Sequence, residues 1–279
     1  MNKQSWSIEK INTHCHRVTF DQIKSGSERW VLLQSDEHWD NTHCDRALLT
    51  KHHKEAAEKN APIFKIGDLF CAMQGKWDKR ADQNQLRTEH RGNNYLDALV
   101  KTATSYYKPY AKHIALITPG NHEGSIVQRH QTNLTERLCE NLGVPMGGYW
   151  GFVKFRFVGG AQLSRDMFYH HGYGGGGEVT RGMIDNNRTR GQYSADIFFS
   201  GHIHRRNLDE NIITECMPNG AVVQRQQLFI RGGAYKNETD GWHAEQGRAG
   251  RPLGGWWLRF TYSTTKTRAI LDCQEIRAT

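Results

Sequence analysis

The sequence predicts an α/β protein in which two β-sheets pack face to face and are flanked by helices. Three features predict it. Apolar runs of strand length recur along the chain, and five of them close on a Gly or a polar cluster, as buried strands feeding functional loops do. Helical segments separate the strands of the first half, and strand-like sequence dominates the second. Open α/β sheets keep their active sites at the carboxyl ends of strands. Five clusters of ligand-type residues at such ends therefore point to a metal site assembled across one sheet edge.

Residues 30–33 form the first such strand, leading into Asp36-Glu37-His38. Residues 41–59 carry Ala47, Leu48, Ala56 and Ala57 among charges without Pro or Gly, which predicts a helix returning the chain by a right-handed crossover. The strand 63–66 then closes on Gly67-Asp68. Residues 71–94 are polar, charged and Gly-containing, an insertion after a ligand loop; a substrate loop and a plain surface excursion are both open. Leu96, Leu99, Val100 and Ala103 place a helix over 95–107, ended by Pro109. Strand 114–117 leads to Gly120-Asn121-His122-Glu123, and 126–142 reads as a helix whose N-terminal dipole lies near the site.

Beyond Gly143, Val153, Phe155 and Phe157 alternate with Lys154 and Arg156, a strand with one apolar face. Strands over 167–169 and 197–199 close on His170-His171-Gly172 and Gly201-His202-Ile203-His204. Residues 227–231, 256–262 and 267–273 are further strands, the last two joined as a hairpin. Alternation puts Trp256 in the core with Leu258 and Phe260, and Trp257 beside Arg259 on the other face. The run 248–257 mixes Arg248 and Arg251 with these tryptophans, and such a mixture grips bases and phosphates in some proteins.

The order and spacing of the five clusters resemble the calcineurin-like metallophosphoesterase superfamily. Its pattern reads D-x-H, G-D, G-N-H-[DE], a His followed by Gly, and G-H-x-H, and it is matched here between residues 30 and 205. One departure is Cys71, where many members carry an acidic or aromatic residue three positions after the G-D aspartate. The resemblance implies a four-layer α/β/β/α sandwich of two mixed sheets; the lack of a linker or repeat makes one domain over 1–279 the expectation, with 71–94 as its candidate substrate-loop insertion. It implies one divalent ion on Asp36, His38, Asp68 and His204. A second would rest on Asp68, Asn121, His171 and His202, with Asp68 bridging. His171 is preferred to His170 because Gly172 follows it. His122 would protonate the leaving oxygen, with Glu123 orienting its ring.

Carboxylate, imidazole and amide donors together suit Mn, Fe, Zn, Co or Ni, and the residue types do not choose among them. Two ions about 3.5–4 Å apart clamp the attacking and leaving oxygens of an in-line displacement and activate a shared water. The expected function is therefore a dinuclear phosphoester hydrolase acting through a metal-bridging hydroxide, on phosphodiesters of nucleotides or nucleic acid. A phosphomonoesterase for phosphoprotein or a small metabolite is the alternative, and a non-catalytic nucleic-acid-binding module is a third reading. Arg205, Arg248 and Arg251 are candidate phosphate contacts.

The net charge of +8 favours a polyanionic or phosphorylated partner through electrostatic steering. Six scattered cysteines without a C-x-x-C pair give no support to a cysteine-based zinc site and fit reduced thiols. The first ten residues lack the apolar core of a signal peptide, and no apolar run approaches membrane-span length. The expectation is a cytoplasmic protein without membrane contact.

Overall fold

The computed structural model describes residues 5–74, 78–79, 81–174, 177, 180, 182–239, 245, 247 and 249–279. Its strands are β1 (Trp6–Asn12), β2 (Cys15–Ile23), β3 (Ser27–Gln34), β4 (Ile63–Ile66), β5 (Ile114–Thr118), β6 (Trp150–Gly159), β7 (Leu163–His170), β8 (Ile197–Ser200), β9 (Asn207–Cys216), β10 (Val222–Arg231), β11 (Trp256–Thr264) and β12 (Ala269–Arg277). The helices are α1 (Arg46–Glu58), α2 (Tyr95–Tyr107), α3 (Asn121–His130), α4 (Leu134–Leu142) and α5 (Met183–Gln192).

The strands form two mixed sheets. A seven-stranded sheet runs β1-β2-β6-β7-β8-β10-β9, and a five-stranded sheet runs β12-β11-β3-β4-β5. Strands β3, β4 and β5 are mutually parallel, as are β7, β8 and β10. The main core lies between the sheets, where Val31, Leu33, Phe64 and Ile66 meet Val153, Phe155, Phe157, Met167 and Phe199. The alternation of β6 is as the sequence predicts, with Val153, Phe155 and Phe157 buried and Lys154 and Arg156 half-buried.

The outer faces are covered unequally. Helices α2 and α4 bury Leu99, Val100, Ala103, Tyr107, Leu134 and Leu138 against the five-stranded sheet. Across the molecule, α5 lies over the seven-stranded sheet with no fully buried residue. The aromatic patch of Phe168, Phe198 and Phe229 there is completed by the half-buried Trp150, Phe152 and Tyr193.

Several expectations are corrected. The site draws on both sheets and not on one sheet edge. The helix expected over 126–142 is two helices, because Gln131 turns left-handed at φ 53° and ends α3. That first helix starts at Asn121, so Asn121-His122-Glu123 forms its opening turn. Helix α1 starts at Arg46, where the Asp45 side chain caps the Leu48 N–H at 2.9 Å. Trp257 is as buried as Trp256, packed with Trp30, Ala56 and Ile63 under α1. Both tryptophans are thus core residues, which removes the stacking reading of that patch. The described part of 71–94 packs on the chain before α1: Leu86 is buried, Arg46 pairs with Glu89 at 2.8 Å, and Arg87 donates to the Cys44 carbonyl at 2.7 Å. The hairpin β1–β2 and the strand β9 were not foreseen.

Candidate metal centre

The polar clusters that follow β3, β4, β5, β7 and β8 converge where the two sheets meet. Asp36, His38, Asp68, Asn121 and His122 come from the five-stranded sheet, and His171, His202 and His204 from the seven-stranded one. Asp36, His38, Asp68, His202 and His204 all have left-handed backbone, with φ of 54°, 50°, 48°, 70° and 52°. Such non-glycine conformations are strained by about 1–3 kcal/mol each and gather at functional sites. Two motif glycines are required by close approach. A Cβ on Gly67, at φ 75°, would lie 2.2 Å from His171 Nδ1, and one on Gly120 would lie 2.1 Å from Asp68 Oδ1.

Three donor groups result among the described residues, one of them His38, Cys71 and His122 at the His122 edge of the site. Asp36, His38 and His204 bring their ligand atoms within 4.8 Å of one another, and so do Asp68, His171 and His202. His38 Nε2 lies 3.0 Å from His204 Nε2, which is 3.3 Å from Asp36 Oδ1. His171 Nε2 is 3.0 Å from Asp68 Oδ2 and 3.8 Å from Asp36 Oδ1, so the groups adjoin. Asn121 Oδ1 lies 2.8 Å from His202 Nδ1. His171 is buried among these groups, whereas His170 Nδ1 accepts the Gly172 N–H at 2.9 Å.

The electrostatics fit a site for cations. Burial opposes charge on His171, yet the carboxylates of Asp68 and Asp36 raise it to about 10. Burial likewise opposes charge on His204, while Asp36 and Glu238 raise it to about 9. Protons there stand in for the positive charge that the carboxylates demand. His38 is instead held well below the ordinary imidazole range by burial and by its neighbours His204 and His122. Both effects favour the neutral imidazole, the form that ligates metal.

His122 sits at the edge of the cluster, its Nε2 3.7 Å from Asp68 Oδ2. Its Nδ1 donates to the Cys71 carbonyl at 2.5 Å, which fixes the hydrogen on Nδ1 and leaves Nε2 toward the site. The Cys71 loop is held by Asp40, which accepts the N–H groups of Cys71 and Ala72 at 2.6 and 3.0 Å. The expectation that Glu123 orients the His122 ring is corrected. Glu123 is buried and spends its oxygens on the N–H groups of Phe70 and Gly120, both at 2.8 Å, and burial raises its carboxyl to about 7. The α3 N-terminus is likewise used internally, since the His122 N–H donates to Asp68 Oδ1 at 3.0 Å.

Sequence reasoning missed Glu238, whose Oε1 takes His204 Nδ1 at 2.6 Å. No motif surrounds it. Such an outer carboxylate sets the tautomer and basicity of a ligating His. Arg251 departs from its expected role. Its Nη1 donates to the Ile203 carbonyl at 2.6 Å and lies 3.5 Å from Glu238, so it braces the His202-Ile203-His204 turn. Arg205 is half-buried one residue beyond that turn, and Arg248 lies outside the described residues. A groove beside His122 is lined by Cys71, Gln74, Ser125, Arg129 and His130.

Two mixed sheets flanked by helices thus carry the five motifs to a single cluster. This is the two-sheet arrangement that the resemblance in the sequence implies. The chain matches no family model and no curated protein. Among solved structures it is similar to Vacuolar Protein Sorting 29 from Cryptosporidium parvum, at 15% identity and TM-score 0.36 over 90% of this chain and 98% of that one. It is similar to a metallophosphoesterase from Sphaerobacter thermophilus at 14% identity and TM-score 0.37, over 90% and 89% of the two chains. A conserved protein of Streptococcus pneumoniae, described as a predicted phosphoesterase, is similar at 10% identity and TM-score 0.32, over 89% and 99% of the two chains. No helix among the described residues is long and apolar enough to cross a membrane.

Proposed function

We propose that this chain is a dinuclear-metal phosphoester hydrolase. The observation that carries the reading is the pair of adjoining donor groups, Asp36/His38/His204 and Asp68/His171/His202. Asp36, His38, Asp68 and His204 would hold one divalent ion of the Mn, Fe, Zn, Co or Ni type. Asp68, Asn121, His171 and His202 would hold the other, with Asp68 shared because its two oxygens can face different ions. Bound there, the ions would supply Lewis acidity toward a phosphoryl oxygen and a lowered pKa for water.

The chain's own residues do the rest. His122 would protonate the departing oxygen from Nε2, which must then carry a second ring proton beside the Nδ1 hydrogen held by the Cys71 carbonyl, and Cys71 and Asp40 keep that ring in place. Glu123 fixes the opening turn of α3 and the Phe70 loop, and so holds the backbone that carries Asn121 and His122. The groove beside His122, with Arg129 and His130 on its wall, is where the leaving group would lie.

Within this class a phosphodiester of a nucleotide or nucleic acid is the proposed substrate, supported by the net charge of +8. Trp256, Trp257 and Arg251 lend it no support, being buried or braced. The test is a hydrolysis screen of the metal-reconstituted protein. It compares an aryl phosphodiester, an aryl phosphomonoester, cyclic nucleotides, and single- and double-stranded DNA. Diester cleavage is expected; monoester cleavage alone would replace the diester reading, and oligonucleotide binding without any cleavage would replace the enzyme reading.

A further inference from the structure

Behind the metal centre, on its helical side, lies a fully buried ion pair. Glu37 is the middle residue of Asp36-Glu37-His38, and its side chain points away from the cluster into the layer of α1 and α2. Lys65 Nζ meets Glu37 Oε1 at 2.5 Å, with the two side chains 2% and 1% exposed. Tyr107 donates its hydroxyl to Glu37 Oε2. The remaining Lys65 hydrogens go to Gln34 Oε1 and His53 Nε2, both at 2.9 Å. His53 serves as an acceptor there because burial, and then Lys65, hold its imidazole well below the ordinary range.

The network closes on the site backbone. Gln34 Nε2 donates to the Tyr235 hydroxyl at 2.7 Å, and the Tyr235 N–H donates to the Asp36 carbonyl at 2.9 Å. Glu37 is therefore tied through Lys65, Gln34 and Tyr235 back to the residue that precedes it. The flanking residues, Asp36 and His38, both have left-handed φ, at 54° and 50°. A turn strained at both flanks persists only where its surroundings over-determine it. A buried ion pair is a poor source of stability, and its best-attested use is to specify one arrangement.

We infer that Lys65 and Glu37 are positioning residues of the metal centre, whose buried pair locks the turn that aims Asp36 and His38 at one ion. This inference rests on the dinuclear reading above. It predicts a split that loss of general stability would not produce. The ion held by Asp36, His38 and His204 weakens, while the ion held by Asn121, His171 and His202 does not.

The experiment titrates the full chain with Zn²⁺ against a chelator and compares wild type with Tyr107→Phe, Lys65→Met and the double variant Glu37→Gln/Lys65→Met. Lys65→Met alone strands a buried carboxylate and risks unfolding. The double variant removes both charges, and Tyr107→Phe removes one hydroxyl only. In the double variant one of the two binding constants should fall about 10–100-fold, the usual effect of losing an outer-shell partner, and the other should hold. Tyr107→Phe should show the same split more weakly, and it carries the test if the double variant does not fold. Folded variants that keep both wild-type constants, or lose both equally, overturn the inference. A wild-type chain that binds fewer than two ions overturns the dinuclear reading instead.

Discussion

The two sheets bring different things to the centre. The five-stranded sheet contributes both carboxylates, the amide and one ligand-type imidazole, Asp36, Asp68, Asn121 and His38, with His122 beside them, backed by the buried cores of α1, α2 and α4. The seven-stranded sheet contributes imidazoles, His171, His202 and His204, and among the described residues its outer face carries α5, which buries no residue fully. Support differs accordingly. Asp36 and His38 are held by the buried Lys65–Glu37 network, whereas His202 and His204 are braced by Glu238 and Arg251 from a later loop. The carboxylates and His38 thus sit on the better-packed wall of the site, and His171, His202 and His204 close against them from the other. The packed wall should tolerate least change.

The largest effect should come from Asp68→Ala, which removes the ligand proposed to serve both ions. Metal analysis should find both sites depleted, and hydrolysis should be essentially abolished. His122→Ala should retain its metals and lose about 10²–10⁴-fold in kcat. That loss should shrink on substrates with good leaving groups, whose oxygen departs without a proton; an equal loss on both kinds would give His122 another role. On the opposite wall, Arg251→Ala should weaken metal binding about tenfold through its brace on the Ile203 carbonyl. Weaker oligonucleotide binding with unchanged metal affinity would return Arg251 to the substrate.

Acidity distinguishes the imidazoles as well. His171 and His204 are raised in the metal-free fold to about 10 and about 9. Their protonated forms therefore add stability that is fully present below the ordinary imidazole value of about 6.5 and fades as pH rises through those values. Metal must displace these protons, so apparent affinity should keep rising with pH up to about 9–10. A plateau from neutral pH upward would contradict the assignment. The smallest effect concerns the outer layers. Leu138→Ala in α4, at a fully buried site, should cost about 2–5 kcal/mol in denaturant unfolding. Ile184→Ala in α5, 46% exposed, should stay within about 0.5 kcal/mol.

Much of this site was legible because its residues obey local rules. Each motif follows a short apolar strand, so a period and a punctuating Gly or polar cluster were enough to find the five clusters, and the family resemblance then singled out Asp36, Asp68, Asn121, His171 and His202 within them. What failed was whatever depends on tertiary partners. No local pattern says that Glu123 will turn to the Phe70 N–H, or that Arg251 will reach Ile203 across the fold. Glu238 lies in a polar loop with no periodicity, and its role appears only when His204 is placed beside it. Helix α3 ends at a left-handed Gln131, a position where sequence offers no Gly or Pro to mark the break. Lys65 reads as one polar residue within an apolar strand, and only the helical layer explains its burial.

The most direct test of the central claim is metal titration of the metal-free chain with aryl-phosphodiester hydrolysis followed in parallel. Two divalent ions per chain should bind, with turnover appearing as the second site fills. Hydrolysis that saturates with a single ion, or an unchanged rate in the fully metal-free chain, would contradict the account.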